Sequence, residues 1–133
     1  MLTCIIDTHT VIWYLDNDQR LSRKAREFIE MTAAHGDQVG LSTISLVEII
    51  YLIEKAKIPS DTLVRLRMAI NEPDSVIVET PLDMDTVQSV LQINRLQVPD
   101  MPDRIIAATA FHHNVPLVSR DGRIQASGIQ TIW

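Results

Sequence analysis

Four acidic side chains, Asp7, Glu48, Asp103 and Asp121, each stand where an alternating strand and helix chain would aim them at one edge of its sheet. Carboxylates brought together in this way repel strongly. At about 4 Å and an effective dielectric near 20, two unit charges oppose each other by roughly 4 kcal/mol. Three or four of them protonate, splay apart or take up a divalent cation. Oxygen donors suit hard Mg²⁺ or Mn²⁺, which can activate water while neutralising a phosphodiester.

Each acid also has an ordinary structural explanation. Asp103 is a good helix N-cap, and an aspartate after a strand, as at Asp7 or Asp121, commonly forms a turn. Glu48 is more pointed: Ile44, Leu46, Val47, Ile49, Ile50, Leu52 and Ile53 surround it on a helix that is apolar on more than one side. An ionised glutamate in that setting requires water, a metal or an arginine as partner.

The elements that must position these residues are readable from local pattern. Residues 2–6 form a short apolar run that suits a buried parallel strand, ending at Asp7. An apolar helix covers Val11 to Leu15, and Ser22 opens a second helix that Gly36 ends. Val39 to Ser42 reads as a strand, followed by a helix from about Ile44 to Lys57 that stops before Pro59. Ser60 or Asp61 starts a helix reaching about Glu72; Ser75 to Glu79 is a third strand; Asp83 caps a helix containing Val87, Val90, Leu91 and Ile93. After a proline-bearing loop, Asp103 begins an alanine-rich helix, Pro116 to Ser119 is a fourth strand, Asp121 and Gly122 turn, and Gln130 to Ile132 is a candidate edge strand. Strand and helix in alternation imply right-handed crossovers and a parallel sheet with helices on both faces. Ligands of such sheets bind beyond the carboxyl ends of the strands, where strand order reverses.

With 133 residues and 46% hydrophobic content, one compact domain over residues 1–133 is expected. Twelve basic against seventeen acidic residues give a net charge of −5, which disfavours sequence-blind binding of nucleic acid by the whole surface. A polyanionic substrate therefore needs a local basic rim or bound cations. The lone cysteine, Cys4, lies in an apolar run and reads as core packing. No apolar stretch approaches the ~20 residues that span a bilayer, so a soluble, cytoplasmic chain with no membrane association is expected. His112 and His113 are adjacent on one helix and point apart, and His9 and His35 lack a ligand pattern, which disfavours zinc. Trp13 and Tyr14 read as core or subunit-interface residues. Neither a phosphate-cradling Gly-x-x-x-x-Gly-Lys nor a Gly-x-Ser-x-Gly elbow is present.

Four segments in order resemble the PIN-domain nucleases, and more closely the VapC-type toxins of toxin–antitoxin pairs. They are Asp7-Thr8-His9-Thr10, Leu41 to Ile49 around Glu48, Asp100-Met101-Pro102-Asp103-Arg104, and Leu117-Val118-Ser119-Arg120-Asp121. The resemblance implies a PIN-like three-layer α/β/α fold around a parallel sheet of four to five strands, and a magnesium- or manganese-dependent ribonuclease cutting in line to leave a 5′-phosphate. It implies that Asp7, Glu48, Asp103 and Asp121 form the acidic site, with Asp7, Asp103 and Asp121 as metal ligands and Glu48 holding water or serving as base. Asp100 aligns with another recurrent acid and ranks below those four. Where many relatives read Asp-Pro-Phe-Asp-Arg, this chain has Asp-Met-Pro-Asp-Arg. The resemblance also implies an antitoxin covering the acidic groove and a homodimer.

Thr8, Ser42 and Ser119 stand near the acids and could orient waters or carboxylates, or simply cap helices. Arg104, Arg120 and Arg123 flank the site and could contact RNA phosphates. Rival readings remain at this point: a phosphatase or phosphotransferase using Asp7 as nucleophile, a DNA flap nuclease, and a PIN-like interaction module without catalysis.

Overall fold

The computed structural model describes residues 1–133. Five parallel strands, β1 (Leu2–Ile6), β2 (Gln38–Ser42), β3 (Ile77–Thr80), β4 (Leu117–Val118) and β5 (Thr131–Ile132), form one sheet in the order β3-β2-β1-β4-β5. The chain thus grows outward from β1 to β3, then returns to the other side of β1. Strand order reverses between β1 and β4, which is where an α/β sheet opens a crevice. Ile6 pairs with both Leu41 and Val118, so β1, β2 and β4 end level with one another.

Seven helices cover the sheet: α1 (Thr8–Leu15), α2 (Arg23–Ala34), α3 (Thr43–Glu54), α4 (Thr62–Asn71), α5 (Met84–Ser89), α6 (Met101–His113) and α7 (Gly122–Ala126). Side chains of β1 alternate between two cores, as a pleat requires. Cys4 and Ile6 pack with Val11, Ile29, Leu41, Ile49 and Leu66, while Ile5 packs on the opposite face with Ile106, Ala107, Leu117 and Ile124. Burial pushes the Cys4 thiol up to about 12, so it is an inert core residue.

Several boundaries differ from the sequence expectation. Helix α1 starts at Thr8 rather than Val11, because the Asp7 carboxylate accepts from Thr10 N at 2.9 Å and nucleates the first turn. The helix capped by Asp83 closes at Ser89 and tightens into a 3₁₀ turn over Val90–Gln92. The alanine-rich helix is opened by Asp100, not Asp103: the Asp100 carboxylate accepts from Asp103 N at 3.2 Å and Pro102 sits in the first turn.

Gly40, on the inner strand β2, has its place fixed by close neighbours. A Cβ there would lie 2.5 Å from Thr80 Oγ1, 2.7 Å from Ile5 Cδ1 and 2.9 Å from Leu2 Cδ1. Gly40→Ala is expected to destabilise the protein by about 2 kcal/mol through overpacking. A urea midpoint indistinguishable from wild type would show that β2 and β3 can part without cost.

Candidate active site

The acids reach the crevice by three different local devices. Asp7 leaves β1 and caps α1, using one carboxylate oxygen for Thr10 N. Asp121 caps α7, its Oδ1 accepting from Arg123 N at 2.8 Å and Ile124 N at 3.3 Å. In both, helix capping occupies Oδ1 and leaves Oδ2 without a capping bond, so the structural and functional readings of these aspartates are compatible. Asp103 projects from the first turn of α6, and Glu48 from within α3.

The ends of β1 and β4 are laced together. Asp7 N donates to Val118 O at 3.2 Å, and the buried Thr10 hydroxyl donates to the same carbonyl at 3.2 Å. This holds Asp7 beside the exit of β4, from which Asp121 follows. Asp7, Glu48, Asp103 and Asp121 all line one cleft of about 380 Å³, together with Asp100, Thr8, His9, Trp13 and Arg120.

Electrostatics register the convergence. The Asp103 carboxyl is pushed from 3.8 up to about 7, first by burial and then by the charges of Asp100, Asp121, Glu48 and Asp7; no hydrogen bond opposes the rise. Glu48 is also raised, chiefly by burial, with the Thr8 hydroxyl bond to its Oε1 pulling the other way. Further down, Asp100 and Asp7 raise it and the His9 charge lowers it. Thr8 Oγ1 also lies 2.9 Å from the buried Ser45 Oγ, so the hydroxyl that bonds Glu48 is itself braced by a second one.

The other sequence candidates separate. Ser119 is buried and its Oγ accepts from Asp121 N at 3.0 Å, which sets the turn that carries Asp121. Ser42 is buried as the N-cap of α3 and does not line the cleft. Arg104 is drawn away: its Nε donates to Ile93 O at 2.9 Å, and it lines an apolar groove with Val87, Leu91 and Ile105. Arg120 lines the acidic cleft, and Arg123 an adjoining groove that shares Asp100, Asp103 and Asp121 with it.

Sequence reasoning underrated Asp100, His9 and Trp13. Asp100 had a readable signal, since Pro102 in a first helical turn places the N-cap one or two residues earlier. His9 and Trp13 are four apart on α1 and therefore neighbours, with ring centroids 5.6 Å apart. Trp13 is 4% exposed and belongs to the core, yet it also lines the cleft.

An all-oxygen donor set whose charges raise the Asp103 and Glu48 carboxyls is chemically suited to a hard divalent ion. No three of these groups stand at direct-ligation spacing in the present side-chain arrangement.

A parallel sheet with acids gathered at its switch point defines an α/β protein with a carboxylate-lined cleft. The comparisons agree on the class: a family model for the PIN domain matches residues 4–128. The chain belongs to the PIN-domain family. It is 28% identical over 127 residues to Ribonuclease VapC22 of Mycobacterium tuberculosis, with 95% of this chain and 92% of that protein covered. Among solved structures it superposes on a chain of the DNA-bound VapBC from Salmonella typhimurium with TM-score 0.72 at 23% identity, covering 98% and 97% of the two chains. A chain of a toxin–antitoxin complex from Klebsiella pneumoniae matches with TM-score 0.67 at 22% identity, over the same shares. These structural likenesses establish the PIN-like fold.

Proposed function

We propose that this chain is a divalent-metal-dependent endoribonuclease, acting as the toxin of a toxin–antitoxin pair. The observation that carries this reading is the opening of five carboxylates onto one cleft, with Asp103 held near 7 by burial and by the charges of its neighbours. The likeness to a VapC ribonuclease across nearly the whole chain supports it.

Asp7, Asp103 and Asp121 would hold Mg²⁺ or Mn²⁺, aided by Asp100. When bound, that ion supplies charge neutralisation of the phosphodiester and lowers the pKa of water. Glu48 acts as general base: its raised pKa makes it a better proton acceptor than an ordinary glutamate. The water oxygen bonds to phosphorus as the bond from phosphorus to O3′ breaks in line. Glu48 takes the water proton, and O3′ is protonated from solvent, leaving a 5′-phosphate. Thr8 keeps the Glu48 carboxylate oriented, and Ser119 fixes the turn under Asp121. Arg123 would meet RNA phosphates along the adjoining groove.

The antitoxin reading is supported by the matched toxin–antitoxin complex and by the chemistry of the cleft, which would accept a basic segment. Exposed Val47, Ile50 and Tyr51 on α3, with Val64 and Met68 on α4, offer apolar area for that partner or for a second copy in a homodimer. Residues 1–133 would act as a single PIN-like unit in the cytoplasm; no helix is long and apolar enough to cross a membrane.

The test is incubation of the purified chain with a total RNA pool and with matched DNA, each in Mg²⁺, Mn²⁺ or chelator, followed by mapping of fragment ends. Metal-dependent RNA fragments bearing 5′-phosphates are expected. Intact RNA under all conditions, with a phosphoryl group trapped on Asp7, would replace the nuclease by a phosphatase.

A further inference from the structure

Arg120 is an exposed arginine at the lip of a cleft containing five carboxylates, yet it makes no salt bridge. Coulomb attraction favours its turning toward the acids. Its guanidinium carbon instead lies 4.6 Å from the Trp13 ring centroid. The indole is almost fully buried and held by neighbours: Trp133 at 5.9 Å, His9 at 5.6 Å and the Arg20 guanidinium at 5.2 Å. Arg20 is a different case, because its Nε and Nη2 are both committed to Asp18, at 3.1 and 2.8 Å. Of the two arginines on this indole, only Arg120 keeps its charge unpaired.

We propose that Trp13 is a positioning residue: by stacking on Arg120 it holds the guanidinium off the acids and presents its fork to a backbone phosphate of single-stranded RNA at the rim of the cleft. The inference rests on the ribonuclease reading and adds to it the residue that grips the substrate. Stacking leaves the N–H edge of a guanidinium open, and that edge matches two phosphate oxygens. The same stack keeps the acids unneutralised and so free to take a cation. An arginine collapsed onto Asp103 or Asp121 would compete with the metal and lose the phosphate, so one aromatic contact serves both requirements.

The test is binding of a fluorescein-labelled single-stranded RNA, read by anisotropy across a salt series in Mg²⁺, in the Asp7→Asn background. Arg120→Ala is expected to weaken binding about tenfold and to reduce the slope of log K against log salt by about 0.7, the share of one phosphate contact on a single strand. Arg120→Lys restores the slope but not the affinity, because it keeps the charge and loses the fork. Trp13→Phe keeps a ring in the core and weakens binding about threefold, as expected for a poorer cation–π face. In the Arg120→Ala background Trp13→Phe costs nothing further, which a purely structural role for the indole would not produce. Arg23→Ala, on the Glu27 pair of α2 away from the cleft, serves as the charge-matched control. Unchanged affinity and slope in Arg120→Ala, or an equal Trp13→Phe loss in both backgrounds, overturns the proposal. Wild-type cleavage is assayed in parallel: RNA left intact with every divalent ion defeats the ribonuclease reading, while the binding cycle decides the role of Trp13 separately.

Discussion

Asp7→Asn is expected to leave the protein folded and to slow RNA cleavage by on the order of a thousandfold. The separation of the two effects follows from what each oxygen of Asp7 does. Oδ1 accepts from Thr10 N and starts α1, and asparagine caps a helix about as well as aspartate. The backbone link from Asp7 N to Val118 O is untouched by the change. What is lost is a negative charge at the strand switch point, where the proposed cation is held. Circular dichroism melts of both proteins, with single-turnover cleavage of a labelled RNA, would measure this. Cleavage within tenfold of wild type by a repurified variant would remove Asp7 from the machinery.

The second large effect concerns pH and stability of the metal-free protein. Asp103 titrates at 3.8 in an ordinary setting and at about 7 in the fold, so between those values the folded state binds more protons than the unfolded one. Stability is therefore greatest below about 4 for this group and is lost as pH rises through about 7. Discounted for the partial exposure of the side chain, the loss amounts to about 1–2 kcal/mol. Asp103→Asn removes it, so in chelator at pH 8 the variant is expected to be the more stable protein by that amount, and the two converge near pH 4. Adding Mg²⁺ or Mn²⁺ should raise the wild-type melting temperature at pH 8 more than that of the variant, while RNA cleavage by the variant collapses. Equal denaturant midpoints for both proteins at pH 8 in chelator would mean that the acids do not crowd one another.

How much of this was legible beforehand divides along the range of the forces involved. The parallel sheet, its strand and helix alternation and most helix starts depend on residues within a few positions of one another, such as Ser22 before Arg23 and Asp83 before Met84. The same local rules misplaced the start of the alanine-rich helix by weighing Asp103 as the cap. The pair Asp100 and Pro102 carried the better signal, and the structure uses it. Arg104 adjoins Asp103 in sequence and Ser42 opens the helix that carries Glu48, yet a carbonyl of Ile93 claims one and the α3 cap the other. Proximity along the chain says little about the direction a side chain takes once it is packed.

The sequence by itself determined that Asp7 and Asp121 would stand just past β1 and β4, because capping, turn formation and strand termination are settled by neighbouring residues. The tertiary structure alone decided that β4 would lie beside β1, bringing Asp121 to Asp7 across more than a hundred residues. It also decided that burial and four other charges would fall on Asp103, and that an indole in the core would hold Arg120 at the rim. Those outcomes depend on strand order and on side-chain packing between distant segments, which fix the local dielectric and the distances between charges, and no short window of sequence contains either.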